Sequence, residues 1–79
     1  MTAFERISPI MDANHIFGEC VEDSEVMCAI EIAWGDWKHE HLCLEWAVKE
    51  VYPNVQHSSA VTEEDGSDCY SAVHYFIFV

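Results

Sequence analysis

The clearest pattern in the chain lies between Val26 and Trp34, where Val26, Cys28, Ile30, Ile32 and Trp34 fall on alternate positions. Met27, Ala29, Glu31 and Ala33 occupy the positions between them. A helical stripe through Val26, Ala29, Ile30 and Ala33 also exists, but it leaves Ile32 and Trp34 off the apolar face. A period of two accounts for more of the large residues, so the segment is predicted as a strand. Gly35-Asp36 interrupts it. Asp36 is a good helix N-cap, and its charge suits the positive end of a helix dipole. From Trp37 to Tyr52 the residues are strong helix formers, closed by Pro53, which biases its predecessor away from helical geometry. Trp37, Leu44, Ala47, Val48 and Val51 form the predicted inward stripe, with His41 at its margin. Glu45 and Lys49 form an i, i+4 pair on the flank.

Two extended runs follow, Asn54 to Thr62 and Asp68 to Val79, separated by Glu63-Glu64-Asp65-Gly66-Ser67. Asp-Gly tolerates positive φ and is a strong hairpin signal. The last run is apolar on both faces: Cys69, Ser71, Val73, Tyr75, Ile77 and Val79 on one, Tyr70, Ala72, His74, Phe76 and Phe78 on the other. Such a strand belongs near the centre of a sheet or is covered on both sides. Upstream, Ala3 to Met11 reads as a short or edge strand, limited by Pro9, which cannot donate to a ladder. Met11 to His15 is a connector. His15 to Val21 reads as a second short strand with Gly18 as its bulge, and Glu22-Asp23-Ser24-Glu25 as a turn.

The expectation is a single α+β domain over residues 1–79: a small, mostly antiparallel sheet of four to five strands with one helix packed on one face. One helix covers one face. If the Tyr70, His74, Phe76 and Phe78 face lies opposite, it needs another cover. A second copy of the chain, making a homodimer, or a partner protein would serve, as would the N-terminal strands folding across it.

Composition sharpens this picture. Fifteen Asp and Glu stand against three cations, Arg6, Lys38 and Lys49, for a net charge of −12. The chain is 51% apolar and 13% aromatic, which separates it from a disordered acidic tail. At 79 residues it buries only roughly 60% of its unfolded surface, so the core must be efficient. Nucleic acid is excluded as a direct ligand, because affinity for phosphates needs Lys and Arg that this chain lacks. An anionic membrane surface repels it, and no run approaches the roughly 20 apolar residues of a membrane span. A basic protein surface is attracted to it, although the same charge also serves solubility. Cys20, Cys28, Cys43 and Cys69 could pair as disulfides. With no basic and apolar leader after Met1, they are read instead as reduced, small apolar side chains of a cytoplasmic protein.

Candidate chemistry is sparse. His39 and Cys43 share a helix face, and His41 lies one turn before Glu45, but two ligands do not make a zinc site, and no CxxC or HExxH is present. Glu63, Glu64, Asp65 and Asp68 surround Gly66, yet Tyr70, Ala72 and His74 follow where a calcium loop needs further oxygens. Nothing fixes Cys43 or Cys69 beside a histidine and a carboxylate as a nucleophile, and no phosphate or dinucleotide glycine pattern occurs. No enzyme, metal or cofactor is expected. What remains is the carboxylates: Glu22, Asp23 and Glu25; Asp36, Glu40, Glu45 and Glu50; and Glu63, Glu64, Asp65 and Asp68. Fixed rows of carboxylates can imitate nucleic-acid phosphates and occupy an Arg/Lys groove.

In size, acidity and predicted fold, with these clusters and the segment from Trp34-Gly35-Asp36-Trp37 to Asp65-Gly66-Ser67-Asp68, the chain resembles small acidic proteins of phages and mobile elements. That class includes anti-CRISPR and other nucleic-acid-mimicking inhibitors. The resemblance is one of class across the whole chain and not a motif match. It implies an inhibitor that occludes the basic surface of a nucleic-acid-binding protein, with Glu22, Asp23, Glu25, Glu63, Glu64, Asp65 and Asp68 as the contact residues.

Overall fold

A computed structural model describes the backbone at residues 1–34, 39–63 and 70–79, and side chains at 1–32, 43–61 and 71–79. The elements run α1 (Ala3–Ala13), β1 (Glu19–Asp23), β2 (Met27–Trp34), α2 (His39–Val51), β3 (Gln56–Glu63) and β4 (Tyr70–Ile77). The strands form an antiparallel sheet in the order β1-β2-β4-β3. The α+β class is as expected, but the described helices number two.

The added helix is α1, where an edge strand was expected over Ala3 to Met11. Its start is encoded by Thr2-x-x-Glu5. The Thr2 hydroxyl accepts from the Glu5 N–H at 3.2 Å, and the Glu5 carboxylate accepts from the Thr2 N–H at 3.3 Å, a complete capping box. Two further orphan donors of the first turn reach the β1–β2 turn: Ala3 N–H to the Ser24 carbonyl at 2.8 Å, and Phe4 N–H to Asp23 Oδ1 at 3.0 Å. Ala3, Ile7, Ile10 and Met11 give the buried stripe. Pro9 lies inside the helix, where its ring opposes the Glu5 carbonyl. Both residues are exposed, so water can take that carbonyl. The turn-by-turn burial of isoleucine and methionine outweighs the local proline penalty.

α1 ends in a Schellman arrangement. The Ile16 N–H donates to the Met11 carbonyl at 2.9 Å and the His15 N–H to the Asp12 carbonyl at 3.2 Å. His15 takes the left-handed conformation, φ 56°, that glycine usually supplies. Ile16 and Met11 are both buried, completing the hydrophobic contact of this motif. Residues 15–18 are therefore not strand, and β1 begins at Glu19. The bulge also moves: the β1–β2 register shifts between Cys20 and Glu22, not at Gly18.

Both helices pack on one face of the sheet. Ile7, Ile10 and Met11 of α1 and Leu44, Ala47 and Val48 of α2 meet Cys28, Ile30 and Ile32 of β2 and Phe76 of β4 in one core. Each fully buried Ile, Leu or Phe there contributes about 1.5–3 kcal/mol. Val51 was expected in the α2 stripe but, as the last residue of the helix, is 56% exposed. Trp37 and the Asp36 cap lie outside the described residues. β4 is central, as its two-faced apolarity predicted, but the face carrying His74 and Phe76 is the core face. They are 2% and 0% exposed, and Phe78 packs partly against the core. The expected dimer face of Tyr70, His74, Phe76 and Phe78 is thus covered from within the chain; the Tyr70 side chain lies outside the described residues.

Candidate functional site

One face of the sheet is bare of any described helix, and its residues follow from the register. Opposite the core positions stand Glu19 and Glu22 of β1, Met27, Ala29 and Glu31 of β2, Val73, Tyr75 and Ile77 of β4, and Ser58 and Ala60 of β3. Tyr75 and Ile77 are 36% and 39% exposed, whereas Ala29 is only 1% exposed between its cross-strand neighbours Glu22 and Tyr75. Glu19 sits directly across from Glu31, and Glu31 directly across from Val73. Like charges directly opposite repel at this spacing, so the Glu19–Glu31 pair works against the sheet. The face is divided: carboxylates over β1 and β2, an aromatic and aliphatic strip over β4, and the small residues Ser58 and Ala60 over β3.

The predicted contact residues fare unevenly. Glu22 and Glu25 are exposed at and beyond the end of β1. Asp23 is absorbed by the fold: bonds from the Phe4 N–H and then the Thr2 hydroxyl hold its carboxyl below the usual range. Glu63 closes β3, and its side chain lies outside the described residues, as do Glu64, Asp65 and Asp68. Glu63 pairs with Tyr70 at one end of the sheet, while Asp23 pairs with Cys28 at the other. Cys28 pairs in turn with Phe76, six residues from Tyr70 along β4, a separation of roughly 20 Å at 3.3 Å per residue. Asp23 and the backbone of Glu63 therefore stand toward opposite ends of the sheet. Glu19 and Glu31, which adjoin Glu22 on the bare face, are the acidic residues that sequence reasoning missed. Each is isolated in sequence, and only the strand register brings them together.

On the covered side, a chain of polar groups enters the core. Lys49 Nζ lies 3.2 Å from Glu45 Oε1, which lies 3.4 Å from His57 Nδ1, and His57 Nε2 lies 2.8 Å from His74 Nδ1. The expected Glu45–Lys49 pair is therefore present, and it lowers the Glu45 pKa more than any other contact. Burial lowers the His57 pKa; Glu45 opposes this, and Lys49 adds to it. With His57 neutral, its Nδ1–H donates to Glu45 and its bare Nε2 accepts from His74 Nδ1–H.

The thiols are graded. Cys28 is wholly buried, and burial, then Cys20 and Asp23, push its pKa up to about 12. Cys20 is half-buried, and its pKa is raised by burial and then by Asp23. Cys43 is exposed beside Trp46 in a groove of about 440 Å³ that Asn14 and Glu50 also line. Trp46 is 79% exposed, and no buried polar group among the groove's lining residues gives that groove an orienting contact. Cys69 and the side chains of His39 and His41 lie outside the described residues. Of the cations, Arg6 stacks over Phe78 at 5.2 Å and Lys49 is held by Glu45. Among the described residues no group of three or more His, Cys, Asp or Glu is placed to hold a metal, and no helix is long and apolar enough to cross a membrane. No family model matches this chain, and neither a curated protein nor a solved structure matches it.

Proposed function

We propose that this chain is a non-enzymatic protein-binding module that applies the bare face of its sheet to the basic surface of a partner. The partner class that suits it best is a nucleic-acid-binding protein, whose Arg and Lys would pair with Glu19, Glu22 and Glu31. Val73, Tyr75 and Ile77 would supply the apolar contact beside them. The module acts by occlusion, as an inhibitor of the phosphate-mimicking class its composition resembles, in a cytoplasmic setting. The observation that carries this reading is the division of one sheet face, which no described element covers, into a carboxylate half and an aromatic and aliphatic half. Interfaces combine these elements: aromatic anchors give affinity, and complementary charge gives steering and register. A second copy fits less well, because it brings another net charge of −12 to this face in place of cations that Glu19, Glu22 and Glu31 could pair with.

The test is capture from nuclease-treated lysate with wild type, the pair Glu19→Lys/Glu31→Lys, and Tyr75→Ser, with Glu50→Lys on the helical side as control. A basic protein retained by wild type and control, lost with both face variants and released as salt rises, supports the reading. Equal capture by all four sinks it.

A further inference from the structure

The polar chain that enters the core has a property separate from the bare face. His57 is the anchor of the edge strand β3. Of the β3 side chains described, those at 56–61, His57 is the one that is not exposed; Val61, on the same side two pairs along, is 58% exposed. Beyond its ladder with β4, this strand is tied to the body through His57, which touches α2 through Glu45 and the core through His74 and Phe76. The His57 side chain is 7% exposed and His74 2%.

The 2.8 Å contact joins two ring nitrogens, and one hydrogen can lie between them. If both imidazoles are protonated, all four nitrogens are donors, and two N–H groups point at one another. The contact then has to break, with two cations left in a site nearly closed to water.

We propose that Glu45–His57–His74 is an acid-sensitive latch, which holds α2 and β3 together while the imidazoles share one hydrogen and releases them when both are protonated. Among the described residues, these groups face the pair. From α2 come Glu45, which favours a charged His57, and Lys49, which opposes it. From β4 comes Phe76, whose ring lies 4.8 Å from that of His57. From β2 come Ile30, opposite His74, and Cys28, opposite Phe76, whose thiol stays neutral. The buried residues of α1 carry no titratable group.

The direction follows from linkage. A histidine whose folded pKa is depressed contributes stability that is fully present above the unfolded pKa, about 6.5, and is lost as pH falls through the folded pKa. Carboxylates held below their ordinary range, Asp23 and Glu45, lose their contribution only further down, below about pH 4.5. The net charge of −12 works the other way, since acid relieves its self-repulsion. A loss between pH 6.5 and 5 therefore points to the histidines.

The experiment is urea unfolding of the full chain from pH 7.5 to 5.0, for wild type, His57→Phe and His74→Phe, with ring titration of wild type by NMR. The expected result is a folding constant that falls below pH 6.5, approaching tenfold per pH unit for each extra proton bound by the unfolded chain. Both variants should flatten that fall. If they do not fold, the His57 and His74 rings of wild type should still move together with a midpoint below 6.5. A wild-type folding constant that does not fall between pH 7.5 and 5.0, the same slope in a folded variant, or ring midpoints at or above 6.5 would overturn the latch.

Discussion

A single methyl group added at Gly18 would meet closely packed neighbours. A Cβ built there would lie 2.8 Å from Ile30 Cγ2, 3.0 Å from Met11 Cε and 3.1 Å from Ile32 Cγ1. Comfortable carbon contacts are about 3.5–4.0 Å, so each neighbour must give by roughly half an ångström or more. Met11 ends in a flexible thioether and can move. Ile30 and Ile32 cannot easily do so: both are fully buried on β2, with strands on either side and helices above. Overpacking of this kind costs about 1–3 kcal/mol. The backbone at Gly18 is not left-handed, so alanine also gains about 0.4–1 kcal/mol by restricting the unfolded chain. The net expectation for Gly18→Ala is a loss of about 1–2 kcal/mol. In a domain this small that lowers the Tm by roughly 5–15 °C. Thermal unfolding followed by circular dichroism measures it. In an Ile30→Ala background the same substitution should cost less, because the new methyl then enters space that the isoleucine vacated. A Gly18→Ala protein at least as stable as wild type would refute the close approach of residue 18 to β2.

Three further outcomes are expected. His15→Gly should raise stability by about 0.5–1 kcal/mol in the same unfolding assay, since the left-handed conformation at φ 56° costs a non-glycine residue about 1–2 kcal/mol and glycine's looser unfolded chain returns part of it. Brief treatment of native protein with a maleimide at pH 7.5, read by peptide mass spectrometry, should label exposed Cys43 and leave Cys28 unmodified until denaturant is added, because its thiol is buried and its pKa stands at about 12. Glu31→Lys replaces a like-charge cross-strand pair with an opposite one and should stabilise the fold by roughly 0.2–1 kcal/mol while weakening partner capture; a variant that loses stability would refute the Glu19–Glu31 register.

Much of this fold is legible in the chain where one signal dominates. The alternation through Cys28, Ile30 and Ile32 specifies β2, and the Leu44, Ala47 and Val48 stripe specifies α2. The two-faced β4 announces a central strand. The reading fails where two signals compete. At the N-terminus, Pro9 argues against a helix, while Thr2-x-x-Glu5 and the spacing of Ala3, Ile7, Ile10 and Met11 argue for one; burial of the stripe decides. That single error propagates. Without α1, one helix leaves the cover of the His74 and Phe76 face open between a second copy, a partner and the N-terminal residues, and it is the N-terminal residues, as a helix, that share the covering of that face with α2. The Glu45–His57–His74 contact is illegible for a different reason. His74 pairs across from Ser59, not His57, so the imidazoles meet on a diagonal that only the hairpin register defines.

The acidic residues divide by what they touch, and that division bears on function more than their number does. Glu5 and Asp23 hold the first turn of α1, and Glu45 holds His57. These three have work inside the fold. Among the described residues, no ion pair involves Glu19, Glu22, Glu25 or Glu31. Solubility alone asks only that charge be spread over the surface. It gives no reason to set Glu19 against Glu31, where the pair opposes the sheet, nor to place both beside an apolar strip that no described element covers. A basic partner accounts for both features, because its cations would turn that repulsion into attraction while its apolar surface covers Tyr75 and Ile77. The same arithmetic makes Glu31→Lys informative in two assays at once: on this reading, a gain in stability and a loss in capture are one electrostatic change seen from the free and the bound state.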